Sequence, residues 1–196
     1  MNTRPIGNVD PLLLISGSGL VMDALEPSFL KDVSSNHTAI IFDNHGVGNT
    51  TSDAKRFSIQ QFADDTVAFL DVLKVQKADV VGSSMESFIA QELALLRPEK
   101  VNKFVLYDAR CGGREGIPQD PKAAKVLSDF VNNRVQDIDK ILSVTFPSEW
   151  IKSHANVGLP QSKEIISSET LKRQFQLVED WFATIGMVLV TNCLNI

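Results

Sequence analysis

Cysteine is scarce in this sequence: two residues, Cys111 and Cys193, stand among 196. They suit a reducing compartment, a single bridge would use both, and their spacing offers no metal site. Clusters of cations are missing as well, for 19 Lys and Arg are scattered among 24 Asp and Glu and the net charge is −5. Without a basic stripe there is no phosphate-binding footprint, so nucleic acid is not expected as a partner. No apolar stretch reaches the length that spans a membrane. The first apolar segment, Leu12 to Met22, has the length of a signal-peptide core, but Asp10 offsets Arg4, and Gly17 and Gly19 interrupt it. It reads as a buried strand running into a turn, and the cytoplasm is the expected compartment. Gly46-Val47-Gly48 lacks the third glycine of a nucleotide fingerprint and follows the wrong strand for one, so no cofactor is implied. There is no internal repeat and no low-complexity tract.

What is present describes an ordinary globular domain. Hydrophobic residues at 43% and charged residues at 22% give enough apolar mass for one core in a chain of this length. Five short apolar runs recur: Leu12–Ile15, Ala39–Phe42, Val80–Val81 with its flanks, Phe104–Leu106 and Met187–Val190. Each is too short for a helix, and runs of this kind are strands buried on both faces, as in a parallel sheet. Between the second and third runs, Ser58 with Gln61 forms a capping box, and Ile59, Phe62, Thr66, Leu70 and Leu73 keep a helical period. A second helix begins at Met85, places Phe88, Ile89, Leu93 and Leu96 on one face, and ends before Pro98. This alternation predicts an α/β fold, a mostly parallel sheet with helices on both faces. After Asp108 the pattern changes. Cys111-Gly112-Gly113-Arg114-Glu115-Gly116 leads into helical segments at Ala123–Val131, Ile138–Val144 and Glu149–Ser153, then a longer helix with Leu171, Phe175, Val178, Trp181 and Ile185 in register. A structureless loop of that size does not fit a compact domain. The expected organisation is a core of residues 1–110 plus 186–196 with a helical cap insertion over 111–185.

The stretch that organises the chain is Ala78-Asp79-Val80-Val81-Gly82-Ser83-Ser84-Met85-Glu86-Ser87. An apolar run stops on a glycine, small residues follow, and a helix starts at Met85. A strand, a very tight turn and a helix would put Ser84 at the apex, its hydroxyl exposed beside the N–H groups of the helix start. Gly82 stands where the bend needs a small residue. Glu86 stands where a second glycine would be expected, making the motif G-x-S-x-E. Its side chain should either open the turn and misplace Ser84 or point outward beside it, and a carboxylate there would disfavour a developing oxyanion.

Four pieces in series resemble the α/β-hydrolase family, in particular its single-domain esterase, lipase and haloperoxidase-like members. They are Pro11-Leu-Leu-Leu-Ile-Ser16-Gly17-Ser18-Gly19, Phe42-Asp43-Asn44-His45-Gly46-Val47-Gly48, Gly82-Ser83-Ser84-Met85, and Phe104-Val-Leu-Tyr107 followed by Cys111-Gly112-Gly113. The resemblance covers residues from about 10 to 116. It implies a serine hydrolase of small esters or other acyl compounds, with Ser84 as nucleophile and an oxyanion hole from the main-chain N–H groups of Met85 and Ser18. Where the family usually carries His-Gly, this chain has Ser16-Gly17. His45 stands where the family usually has Arg, in a turn that braces the loops.

A serine needs a base, and the family supplies a histidine oriented by a carboxylate near the C-terminus. The three histidines here, His37, His45 and His154, lie elsewhere. By this resemblance the chain stops before the last third of the fold and starts after its first strands. His45, at the carboxyl end of a strand, is the candidate base, against a plain loop role. Asp108, after the strand that follows the second helix, is the candidate acid, against a turn-forming role. Asn192 and Cys193 stand near the family's usual acid position, and neither can orient a histidine by charge. An open apolar edge at Met187–Val190 would offer a route to a homodimer. Two functions fit these residues. One is an ester hydrolase with little or no turnover; the other is a non-catalytic, shortened hydrolase fold that binds a small ligand or a partner.

Overall fold

The computed structural model describes residues 9–53, 56–110, 117, 119–133, 138–154 and 166–184. Four strands, β1 (Pro11–Ile15), β2 (Thr38–Phe42), β3 (Ala78–Ser83) and β4 (Val101–Tyr107), form one parallel sheet in the order β2-β1-β3-β4. The fifth expected strand, Met187–Val190, lies outside the described residues, and so does the edge expected to pair with a second copy. Three helices connect the strands: α1 (Pro27–Ser34), α2 (Ile59–Val72) and α3 (Met85–Leu96). Four more follow β4: α4 (Pro121–Asn133), α5 (Ile138–Thr145), α6 (Ser148–Ser153) and α7 (Ser168–Thr184).

The strand order fixes where the helices go. The chain steps outward from β1 to β2, then crosses over β1 to β3 and continues to β4. Right-handed crossovers therefore put α2 and α3 on one face of the sheet and α1 on the other. The first step and the later ones run in opposite directions, so the carboxyl ends of β1 and β3 flank a topological switch point, the place where open α/β sheets bind ligands.

Burial of α2 and α3 accounts for most of the core. Ile59, Phe62, Ala63, Val67 and Leu70 of α2 pack with Met85, Phe88, Ile89, Ala90 and Leu93 of α3, together with Leu13 and Val80 from the sheet. Each large side chain buried in this way contributes about 1.5–3 kcal/mol. The cap at the start of α2 contributes about 1 kcal/mol, so packing, not capping, decides that this segment is helical. Only half of the expected capping box forms. Ser58 Oγ accepts the Gln61 N–H at 3.0 Å, but the Gln61 amide turns forward to Asp65 at 2.8 Å instead of back to residue 58. Leu73 falls just beyond the helix as its C-cap and is 40% exposed, not on the buried face.

The buried face of α7 also differs from the sequence expectation. Its centre is Leu171, Gln174, Leu177 and Trp181, with Phe175 and Val178 as half-buried flanks. Trp181 stacks on Phe88 of α3 at 4.4 Å between ring centres, which seats α7 against the sheet-covering helices. Residue 185, also expected in that register, lies outside the described residues. In α1 the side chain of Glu26 caps the Phe29 N–H at 3.0 Å and Pro27 opens the helix.

Candidate functional site

Ser84 stands at the junction of β3 and α3 with φ 53° and ψ −124°. A residue with a side chain pays for such a backbone with about 1–3 kcal/mol of strain, so the surrounding structure must hold it there. Part of that hold is a ladder bond, since the Ser84 N–H donates to the Tyr107 carbonyl at 3.2 Å. The rest comes from α3, whose Ser87 donates to the Ser84 carbonyl from its N–H at 3.0 Å and again from its hydroxyl. Ser84 itself is exposed, while Met85, Glu86 and Ser87 behind it are buried.

The bend is tight enough to exclude a side chain at Gly82. A Cβ added there would lie 2.4 Å from the Glu86 carbonyl oxygen and 2.7 Å from its carbon. Both are main-chain atoms with nowhere to move. Glycine at 82 is a condition for α3 to start where it does.

The turn after β1 comes to the same place through sheet register. Leu14 pairs with Val81, so the turn leaves β1 alongside the end of β3. The Ser18 hydroxyl points at the Met85 sulfur, 3.5 Å away. The turn is braced from the β2 side by buried polar residues. Asn44 donates to the Ser16 carbonyl at 3.0 Å, Ser16 Oγ donates to the Phe42 carbonyl at 3.0 Å, and Asp43 accepts the Met22 N–H at 2.7 Å. From above, Gln174 of α7 accepts the Gly19 N–H at 3.0 Å. Gly19 has φ +73°, and a Cβ there would press on Leu171 at 3.0 Å. The structure thus brings Ser84, Met85 and Ser18 together at the switch point. At the first helical position, the Met85 N–H has no intrahelical acceptor.

Glu86 departs from both sequence expectations. The turn has not opened, and the carboxyl points inward, fully buried. Neither oxygen has a hydrogen-bond partner among the described residues. Burial pushes its pKa well above the usual carboxylate range. The main-chain N–H groups of Glu86 itself and of Ser18 face the carboxyl and draw the value part of the way back, without closing hydrogen bonds of normal geometry. The acid is therefore neutral well above the pH at which an exposed glutamate ionises.

His45 and Asp108 are not joined to Ser84. The His45 ring packs edge-on against Phe57 at 5.3 Å and beside Phe62 at 6.0 Å. Its nitrogens face Asp65 at 3.2 Å and Asp53 at 3.8 Å. Both acids claim the ring for the loop and α2. Asp108 is exposed, with φ 50°, the conformation of a turn residue. Among the described residues no hydrogen bond or ion pair links either one to Ser84. His154 stacks on Trp150 at 4.2 Å. Asn192 and Cys193 lie outside the described residues, as does Cys111.

Among the described residues, no group of three or more His, Cys, Asp or Glu side chains could hold a metal ion. No helix among them is long and apolar enough to cross a membrane. A hollow of about 330 Å³ lies between α4 and α5, lined by Lys122, Lys125, Val126, Phe130 and Ile141 among others. None of its lining residues comes from the two turns.

A parallel sheet with a serine at a strand-to-helix bend, beside the turn of the neighbouring strand, defines an α/β protein of the hydrolase-fold class. A family profile described as alpha/beta hydrolase fold matches residues 10–149, and the chain belongs to that family. Over 105 residues it is 37% identical to the protein named "Putative non-heme bromoperoxidase BpoC" of Mycobacterium tuberculosis, covering 53% of this chain and 40% of that one. It is 30% identical over 121 residues to the poly(3-hydroxyalkanoate) depolymerase of Ectopseudomonas oleovorans, covering 62% of this chain and 42% of that one. Among solved structures, an alpha/beta hydrolase fold protein from Chitinophaga pinensis superposes with a TM-score of 0.70 at 20% identity, over 94% of this chain and 68% of that one. At that identity the likeness shows the fold. The chain spans about 40% of the length of the curated relatives it matches first.

Proposed function

We propose that this chain carries the nucleophile of a serine hydrolase acting on a small carboxylic ester or related acyl compound. The observation that carries this is the backbone of Ser84. A residue held at φ 53° and ψ −124° with its side chain exposed at a switch point is strain stored at a site, the usual mark of function. The Ser84 oxygen would bond to the acyl carbon as the hydroxyl proton leaves. Negative charge building on the carbonyl oxygen would be received by the N–H groups of Met85 and Ser18. The ester C–O bond then breaks, the alcohol departs with that proton, and water adds to the acyl-serine, releasing the acid and restoring the Ser84 hydroxyl. The helices of residues 111–185 would serve as a cap that sets which acyl group fits. Relatives named as a poly(3-hydroxyalkanoate) depolymerase and as an enol-lactonase support an ester-like substrate class.

Proton removal is the step this chain serves poorly. His45 is engaged by Asp65 and Asp53, so Ser84 has no base bonded to it among the described residues. Turnover by this chain is accordingly weak or absent. The buried acid at 86 and the engaged His45 favour a second function, a non-catalytic fold that binds a small ligand.

A fluorophosphonate probe separates the two, since it needs an activated serine but no deacylation. Intact-mass analysis should show one adduct per chain, lost in Ser84→Ala. If the unmodified chain takes up no label at Ser84, the nucleophile assignment fails and the binding function stands. Fast nitrophenyl-ester turnover, abolished in Ser84→Ala, would instead refute the statement that turnover is weak.

A further inference from the structure

Two fully buried polar side chains close on the turn after β1. From α3, Glu86 is wholly covered, with both carboxyl oxygens lacking a hydrogen-bond partner among the described residues and with the Ser18 N–H facing them. From α7, Gln174 is also wholly covered, its oxygen accepting the Gly19 N–H at 3.0 Å while its amide nitrogen has no partner among the described residues. Burying a polar group without a good hydrogen bond is costly, and a shorter residue at 86 would avoid that cost. The acid is nevertheless aimed at the donor of the neighbouring turn. A carboxyl standing before that N–H, even without closing a bond to it, fills the space that the oxygen of a bound anion would need to accept from it. They cannot both have it.

We propose that the Glu86 carboxyl is a built-in occupant of an anion seat at the Ser18 N–H, filling the place that a small carboxylate or the oxyanion of an acyl substrate would take, while Gln174 closes the adjacent Gly19 N–H. Shortening residue 86 opens the seat. Exchanging its oxygen for an amide of the same size does not.

Acetate is the probe. It is titrated at constant pH into the unmodified protein, Glu86→Gln and Glu86→Ala, while the Ser18 and Met85 amide resonances are followed by NMR. In Glu86→Ala both amides shift and saturate. In the other two, where residue 86 still fills the seat, half-saturation needs about tenfold more acetate or more. Equal responses in all three proteins, or none in Glu86→Ala, overturn the proposal. Glu86→Gly takes the place of Glu86→Ala if the latter loses a dispersed spectrum. The proposal borrows from the proposed hydrolase function only the idea that a substrate oxyanion would want this seat, and the acetate arm does not depend on Ser84. Fluorophosphonate labelling of the same variants keeps the two apart. Acetate binding without labelling upholds the seat and removes the nucleophile, whereas labelling unchanged by Glu86→Ala and no acetate response remove the seat and keep the nucleophile.

Discussion

The Glu86 carbonyl oxygen lies 2.4 Å from the point where Gly82 would carry a Cβ. Strand and helix are thus in main-chain contact across the bend, and Ser84 is held between them.

Gly82→Ala should therefore be destabilising, by the 1–3 kcal/mol or so that overpacking a tight site costs. It should also displace the start of α3. A lowered urea midpoint together with slower fluorophosphonate labelling of Ser84 is the expected result; an unchanged midpoint would show that the bend has slack.

Ser84→Gly relieves the backbone. Glycine adopts φ 53° and ψ −124° without a clash, so this variant should be more stable than Ser84→Ala. The difference should be about 1 kcal/mol, because the released strain is partly offset by the freedom glycine gains in the unfolded chain. Paired chemical denaturation of the two variants measures it.

Glu86 makes stability fall as pH rises. Its folded pKa is raised by burial above the unfolded value of about 4.3. Below that unfolded value both states hold the proton and the contribution is intact. Above it the unfolded chain gives up the proton first, so stability is lost progressively until the pH passes the folded pKa. Glu86→Gln should flatten this fall. A matched pair of unfolding series from pH 4 upward would show it, and parallel slopes would contradict it.

His45→Gln distinguishes bracing from base catalysis. The ring is held by Phe57, Phe62 and two carboxylates. The contacts with the two carboxylates are partly exposed and contribute little, so the stability loss should come chiefly from the aromatic contacts and amount to about 1 kcal/mol. Labelling of Ser84 should be unaffected. A labelling rate that collapses in His45→Gln while the fold persists would make the ring a base after all.

Sheet and helices were legible because their signals were local. Periodicity and punctuation mark the run before Gly82 and the helix from Met85 to Leu96, and β3 and α3 occupy those positions. The apolar run marks β4 from Phe104, but the strand starts at Val101, because Asn102 and Lys103 are polar and exposed on opposite faces; Phe104 and Val105, expected to be buried on both faces, are 46% and 57% exposed. α1 carries no strong periodic signal. Its exposed surface leaves only a partial apolar stripe, and its start is marked by Glu26-Pro27, an acid cap followed by proline. Proline at the first helical position is itself a start signal. At the site, Ser84 is marked by the strand-to-helix punctuation around Gly82, whereas Ser18 and Met85 enter only through the family resemblance. Gln174 could not be anticipated, because a glutamine in the middle of an apolar helix face looks like an interruption until its partner, a glycine N–H 155 residues away, is known. The inward turn of Glu86 was also hidden. An acid reads as a surface residue, and only the closed bend reveals that nothing but the interior is left for it.

The two turns hang from strands whose backbones are locked side by side, Leu12 to Asp79, Leu13 to Val80 and Leu14 to Val81. Spacing between them is accordingly set first by the sheet, with the side chains of Asn44 and Gln174 steadying the turn after β1. An exchange on α7 that spares Gln174 leaves the turn after β1 its brace, whereas one at Gln174 reaches the turn itself.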